Sequence, residues 1–252
     1  MRVGIINDKY LEEIMLEIKN LSYSVTENGQ TKQILNNINL KFEDGKTYCI
    51  TGHNGSGKST LSKIIMGVIS PSSGQIILNG QDITRLPSNE RAQLGLAFAF
   101  QQPVRFKGLT VLDLLTVASG EKENVSSCCN YLSTVGLCAR DYINRELDGK
   151  LSGGELKRIE IATTLARKAT CNIFDEPEAG IDIFSFEALV DIFKKLKSTN
   201  ATNIIVSHQE KLMASCDSII VLSHGEVEAV GSPRKIIKAL SHQTCNRLRR
   251  SN

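Results

Sequence analysis

Residues 52–59 read GHNGSGKS and fit the pattern Gly-x-x-x-x-Gly-Lys-Ser/Thr. An apolar, β-rich run (48–51) precedes them and a helical run (60–68) follows, which is the context this loop requires. Gly52, Gly55 and Gly57 free the backbone to wrap, so that successive N–H groups converge on phosphate oxygens while the helix start adds partial positive charge. His53, Asn54 and Ser56 complete the wrap, and Thr60 opens the helix behind it. Lys58 supplies charge for β- and γ-phosphates, and Ser59 a hydroxyl for Mg²⁺.

A second element carries acids. Residues 171–176, CNIFDE, form an apolar strand that ends in two carboxylates, with Pro177 directly after. Asp175 is placed to hold Mg²⁺ through its water shell, and Glu176, one position on, to polarise an attacking water.

The rest of the chain must bring these groups together. Its 252 residues suffice for one large domain. With 41% hydrophobic and 23% charged residues and no Trp, it falls outside disordered, collagen-like and coiled-coil compositions. No apolar run approaches the ~18 to 20 residues of a membrane-spanning helix, and the longest candidate, 94–100, stops at Gln101. The amino terminus shows no secretory pattern, so a cytoplasmic location is expected. Seven scattered cysteines without a CxxC pair point to buried packing residues rather than to disulfides or zinc; Cys128-Cys129 in a helical patch is read the same way. Residues 234–252 carry Arg234, Lys235, Lys238, Arg247, Arg249 and Arg250 and no acid. This basic end is read as a solvated face, and no nucleic-acid partner is expected.

Strands are predicted at 16–21, 38–42, 47–51 and 75–78, each beside Asn, Gly or Asp turn chemistry, and at 171–174, 203–206 and 218–222 as a buried parallel set. Helical patches at 111–118 and 125–135 interrupt the β pattern. The class is α/β. Met15 opens a strand at once, so either Met15 is the start or residues 1–14 form an extra helix.

Residues 151–155 read LSGGE, before a helix with Leu156, Ile159, Ala162 and Leu165 on one face. The order of phosphate loop, Gln101, LSGGE, Asp175 with Glu176, the 179–182 turn and His208 resembles the ATP-binding-cassette ATPases from about Met15 to Leu240. That resemblance implies a P-loop NTPase core with an antiparallel β subdomain. It implies one domain over 15–252, with a helical subdomain at about 102–155 and residues 1–14 as an extension. It further implies ATP and Mg²⁺ as ligands, and two chains paired head to tail around two ATP molecules. In such a pair Ser152, Gly153 and Gly154 grip the γ-phosphate held by the opposite chain, with Asp182 beside them. Gln101 senses Mg²⁺ and the attacking water, His208 touches the γ-phosphate, and Glu176 serves as base. The 117 positions between Lys58 and Asp175 leave no room for the long coiled coil of chromosome-maintenance relatives.

Two partner classes follow: a membrane permease and a soluble scaffold. The string AFAFQQPVRFKGLTV (97–111) and Gly180 within DEPEAGID (175–182) resemble the Suf-type iron-sulfur assembly ATPase, so a soluble Suf-type scaffold is the expected partner, and a permease the alternative. The position that stacks adenine in many cassettes falls on Val25, with Tyr23 on the same strand face. The 50 positions from Gln101 to Leu151 are fewer than in better-known Suf ATPases, which leaves partner choice open.

Overall fold

Residues 47–51, 171–175 and 202–206 are buried at every position, as strands covered on both faces must be. The computed structural model describes residues 14–250 apart from 28, 104, 148, 149 and 198, with backbone alone for 183, 184 and 242–250. Its elements in chain order are β1 (Ile14–Glu27), β2 (Gln30–Glu43), β3 (Thr47–Thr51), α1 (Lys58–Met66), β4 (Ser73–Leu78), β5 (Gln81–Asp82), α2 (Ser88–Gln93) and β6 (Leu96–Ala99). Then follow α3 (Val111–Ser119), α4 (Val125–Thr134), α5 (Ala139–Tyr142), α6 (Gly153–Ala166), β7 (Cys171–Asp175), α7 (Ile183–Leu196), β8 (Thr202–Val206), α8 (Glu210–Ser215), β9 (Ser218–Ser223), β10 (Glu226–Gly231) and α9 (Pro233–Arg250).

The larger sheet has the order β10-β9-β3-β8-β7-β6. It is parallel except for β10, which pairs antiparallel with β9. Side chains on a strand alternate between faces, and here the alternation divides the interior into two cores. Ile50, Ile173, Ile204, Val206, Ile220 and Leu222 pack with α1 and with the smaller antiparallel sheet, β2-β1-β4-β5. Their neighbours Cys49, Phe174, Ile205, Ile219 and Val221 pack on the other face, in the core that includes residues of α3, α4, α6 and α7. Because the strands are parallel, the ends of β3, β6, β7 and β8 all point to one edge of the sheet.

The seven expected strands are present, with differences at their ends. β1 and β2 extend beyond the apolar runs at 16–21 and 38–42, because hairpin pairing carries polar residues such as Thr26 opposite Thr31. β6 had no strand signature of its own, being only four residues long, and forms the edge strand beside β7. The expected extension at 1–14 lies outside the described residues except for Ile14, which begins β1. Arg234, Lys235 and Lys238 are exposed, while the side chains of Arg247, Arg249 and Arg250 lie outside those described. Of the six cysteines described, Cys49, Cys128, Cys171 and Cys216 are buried. No helix among the described residues is long and apolar enough to cross a membrane.

Helix α1, which carries the phosphate-loop lysine at its start, is fastened at its other end by Arg91. This guanidinium is 1% exposed. It donates to the carbonyls of Ile64 and Ile65 at 2.7 Å each, of Thr84 at 2.8 Å and of Leu86 at 2.9 Å. The first two carbonyls belong to the last turn of α1, where intrahelical donors run out and a cation is favoured. Arg91→Ala leaves these acceptors without their donor and should cost about 3 kcal/mol, read as a fall in the urea midpoint at unchanged slope. Arg91→Lys should recover less than half, since one ammonium cannot span four carbonyls as the planar fork does; full recovery would show that charge alone matters.

Candidate functional site

The phosphate loop owes its path to two glycines. At Gly52 the backbone has φ +143°, and a Cβ would sit 2.0 Å from the Leu222 carbonyl oxygen. Gly57, at φ +99°, presses on Leu35, where a Cβ would come within 2.5 Å of a methyl carbon. Gly57 then accepts the first helical bond of α1 from Leu61 N–H. The Lys58 ammonium folds back across the loop and donates to the carbonyls of Gly52 (2.8 Å) and His53 (3.0 Å). Burial lowers its pKa, while Glu176 and Asp175 pull the other way. Ser56 is buried, and its amide closes the loop on the His53 carbonyl.

From β3 the loop crosses to β7 through one bond: Ser59 Oγ donates to Asp175 Oδ1 at 2.9 Å. Asp175 is 0% exposed, and its second oxygen, Oδ2, is buried without a hydrogen-bond partner. Burial holds its carboxyl above the usual range, with the Ser59 bond opposing. At the next residue the chain turns sharply. Glu176 has φ +46°, a left-handed conformation that costs a non-glycine residue about 1 kcal/mol and clusters at functional sites. The turn is held by the Glu176 amide on the Val206 carbonyl and by the Ala179 amide on the Glu176 carbonyl.

Gln101 follows the end of β6, and its Nε2 donates to Glu176 Oε2 at 2.5 Å. Its backbone is gripped from α6 by a buried pair that sequence reading missed. Lys157, 0% exposed, donates from Nζ to the carbonyls of Phe100 and Gln101 and pairs with Glu160 at 2.9 Å. Glu160 in turn accepts the Phe100 amide at 2.8 Å. Asn54, Gly55, Gly57, Lys58, Ser59, Thr60, Gln101, Glu176 and His208 thereby line one cavity of about 360 Å³.

The LSGGE group does not line that cavity. Ser152 caps α6: its Oγ accepts from the Glu155 amide, and its own amide donates to Glu155 Oε2 at 2.7 Å. The Ser152 amide is thus committed, which leaves Gly153 and Gly154 as first-turn donors without an intrahelical acceptor. A Cβ on Gly153 would stand 3.4 Å from the Gly180 carbonyl, so the 179–182 turn approaches the start of α6. Asp182 Oδ1 accepts from the Ser185 amide in the first turn of α7. Tyr23 packs against the core under the smaller sheet.

The donor set suits a hard divalent cation. A hydroxyl (Ser59), a partnerless buried carboxylate oxygen (Asp175 Oδ2) and the side-chain amide oxygen of Gln101 are oxygen ligands of the kind Mg²⁺ takes, with phosphate oxygens and waters completing the shell. Among the described residues no cluster of three His, Cys, Asp or Glu side chains could hold a metal by itself.

A phosphate loop, a buried acid bonded to its serine and a second acid at the C-terminal edge of a parallel sheet define a P-loop nucleotide hydrolase. Residues 35–179 match the profile of the ABC transporter family, more than half of the chain, and the chain belongs to that family as an ATP-binding-cassette ATPase. It is 36% identical to an uncharacterized ABC transporter ATP-binding protein of Methanocaldococcus jannaschii over 216 residues, 81% of this chain and 85% of that relative. It is 33% identical to the probable ATP-dependent transporter ycf16 of Antithamnion sp., covering 89% of this chain and 94% of the other. A dimeric post-hydrolysis structure of an ATP-binding cassette bound to ADP and Pi matches with TM-score 0.78 at 26% identity, over 87% of this chain and 99% of that one.

Glu155 shows what else the LSGGE group does. Its Oε1 accepts from Tyr142 Oη at 2.5 Å and from Arg145 at 3.3 Å while Oε2 holds the Ser152 amide. The Tyr142 bond, followed by the Ser152 bonds and Arg145, outweighs burial and brings its pKa down to about 2. A lowered folded-state pKa gives stability that is present above the ordinary carboxylate range and lost as pH falls toward 2. Glu155→Ala should therefore be less stable by about 1 kcal/mol at pH 7, the usual worth of such a cap. Urea titrations from pH 7 to pH 2 should show this gap closing; a gap independent of pH would remove the charge from the explanation.

Proposed function

We propose that the chain hydrolyses MgATP as one of two cassettes paired head to tail, and that the pair drives a transport protein in a membrane. The cavity shared by the phosphate loop, Gln101, Glu176 and His208 carries this reading. The phosphate-loop amides other than that of Ser56 and the Lys58 ammonium hold the terminal phosphates, and Ser59, Asp175 and Gln101 hold the cation. Mg²⁺, when bound, neutralises charge on the phosphate oxygens. Glu176 takes the proton of the attacking water, and its bond to Gln101 must loosen before the carboxylate can do so. His208 reaches the γ-phosphate from the end of β8. Ser152, Gly153, Gly154 and Asp182, outside this chain's own cavity, serve the site of the opposite chain.

The dimeric ADP-bound cassette supports the pairing. Two relatives with transporter names support a membrane partner over the scaffold expected from the 97–111 string, and would place the chain on the inner, cytoplasmic face of that membrane. Beside Gln101 lies an apolar groove of about 260 Å³ lined by Phe98, Phe100, Phe106, Leu114 and Val117, in which Phe100, Phe106 and Val117 are exposed. Its position between β6 and the helical segment 102–155 suits a partner that acts on Gln101. The Suf-type scaffold is the second reading, favoured by that same string, which contributes Phe98, Phe100 and Phe106 to the groove.

Glu176→Gln should cut turnover by roughly 10²- to 10⁴-fold, the worth of a general base, while keeping ATP binding and trapping a dimer in light scattering; intact turnover would place the base elsewhere. Lys58→Ala chains should bind no ATP productively. Mixed with Ser152→Arg chains, they should regain one working site per heterodimer. A proven heterodimer with no regained activity would refute sharing of sites between chains. Purification from the native cell separates the partners: a multi-span protein in detergent extracts supports transport, and a stoichiometric soluble partner carrying iron or sulfur supports the scaffold.

A further inference from the structure

Glu178, in the turn between β7 and α7, is a carboxylate buried where a charge is costly. It is 9% exposed. Its Oε1 accepts from Ser207 Oγ at 2.5 Å, and Oε2 is buried with no hydrogen-bond partner. Ser207 is itself held: its amide donates to the Ile50 carbonyl, and its Oγ accepts from the amide of Gln209, the residue that caps α8. One oxygen of Glu178 is thus tied to β8, and the other is left aimed at nothing.

The groups facing the carboxylate narrow what it can serve. From β3 comes the Cys49 thiol, and from its own turn Glu176; both carry a proton or a negative charge and offer no cation. Glu187 of α7 and Glu210 and Lys211 of α8 line the adjoining groove, and Lys211 is paired with Glu187. His208 remains. Its Nδ1 stands 3.8 Å from Glu178 Oε1, beyond hydrogen-bond length, on a ring that is 61% exposed and whose Nε2 lies 3.3 Å from Gln209 Nε2.

We propose that Glu178 is the positioning residue for His208: its carboxylate accepts a hydrogen bond from Nδ1–H and turns Nε2 toward the phosphate cavity. A ring nitrogen that donates to a fixed acceptor settles both the tautomer and the direction of the other nitrogen, and such contacts tighten when the site is filled. Burial, the largest influence, holds the Glu178 carboxyl above its usual range, with Ser207, then its own amide, then His208 pulling it down. An imidazole that moves onto Glu178 relieves part of that cost. The proposal rests on the reading of His208 as the γ-phosphate contact.

The test uses the full chain, labelled with ¹⁵N and saturated with Mg²⁺ and a non-hydrolysable ATP analogue at pH 8, with His208 signals identified by their loss in His208→Ala. Long-range ¹⁵N–¹H spectra should show a protonated Nδ1 in the unaltered protein and a bare, pyridine-like Nδ1 in Glu178→Gln. Steady-state kinetics should show Glu178→Gln lowering kcat about tenfold with KM for ATP within twofold, and Glu178→Asp keeping kcat within threefold. An unchanged His208 spectrum in Glu178→Gln, or a loss in Glu178→Asp as large as in Glu178→Gln, overturns the proposal. If Glu178→Gln does not fold, a bare Nδ1 in the unaltered protein overturns it, and a protonated Nδ1 that turns bare in Glu178→Ala supports it. Full turnover in His208→Ala would instead refute the phosphate role of His208, while the Nδ1 signal would still report on Glu178.

Discussion

The bond from Ser59 to Asp175 joins the start of α1 to the end of β7, and the site is organised around it. A wholly buried carboxylate is costly unless its oxygens are engaged. Ser59 engages one, and the other is buried without a hydrogen-bond partner. The arrangement is tolerable because α1 cannot shift: Gly52 and Gly57 leave no room for side chains at its entry, and Arg91 closes its far end. The fold thereby holds a hydroxyl and a carboxylate within hydrogen-bond reach before any nucleotide arrives, which spares the ordering cost at binding.

Much of this could be read from the residues alone, for identifiable reasons. GHNGSGKS announces itself because only glycines permit the path at Gly52 and Gly57, and CNIFDE because an apolar run ending in acids marks a strand delivering them to an edge. The central strands were legible because burial on both faces demands unbroken apolar runs. β6 was not, since four residues carry too little pattern, although this strand sets the position of Gln101. Arg91, Lys157, Glu160 and Glu178 were also missed. A charged side chain in sequence reads as a solvated one, and only three-dimensional closure shows which of them are enclosed by carbonyls or by one another. For Glu178 one signal existed: three acids within four positions, at 175, 176 and 178, exceed what one cation requires.

The missed charges do different work from the legible ones. Lys58 and Ser59 line the phosphate-loop cavity, with Asp175 bonded to Ser59, while Lys157 and Glu160 hold the backbone that presents Gln101. Both members of that pair sit on α6, the helix that Ser152 caps. That helix is therefore tied, through an ion pair whose lysine is wholly buried, to the residue that contacts Glu176 in its own chain. Removing one member of such a pair would leave the other charged and enclosed, so the link is stiff.

That stiffness bears on how a partner could control hydrolysis. Glu176 is held by Gln101 and sits on a backbone with φ +46°, so its backbone is strained while its side chain is occupied. The groove of Phe98, Phe100 and Phe106 flanks Gln101 on the exposed side. A group seated there presses on the same short stretch that Lys157 and Glu160 grip from within. Shifting Gln101 by about 1 Å suffices to break a hydrogen bond of ordinary length, and doing so frees the Glu176 carboxylate. The energy required is that of one charge-assisted hydrogen bond, about 1.5–3 kcal/mol, well within what burial of two aromatic side chains can return. Control of hydrolysis by a docked partner therefore needs no rearrangement of the sheet, only a change in which group Gln101 faces.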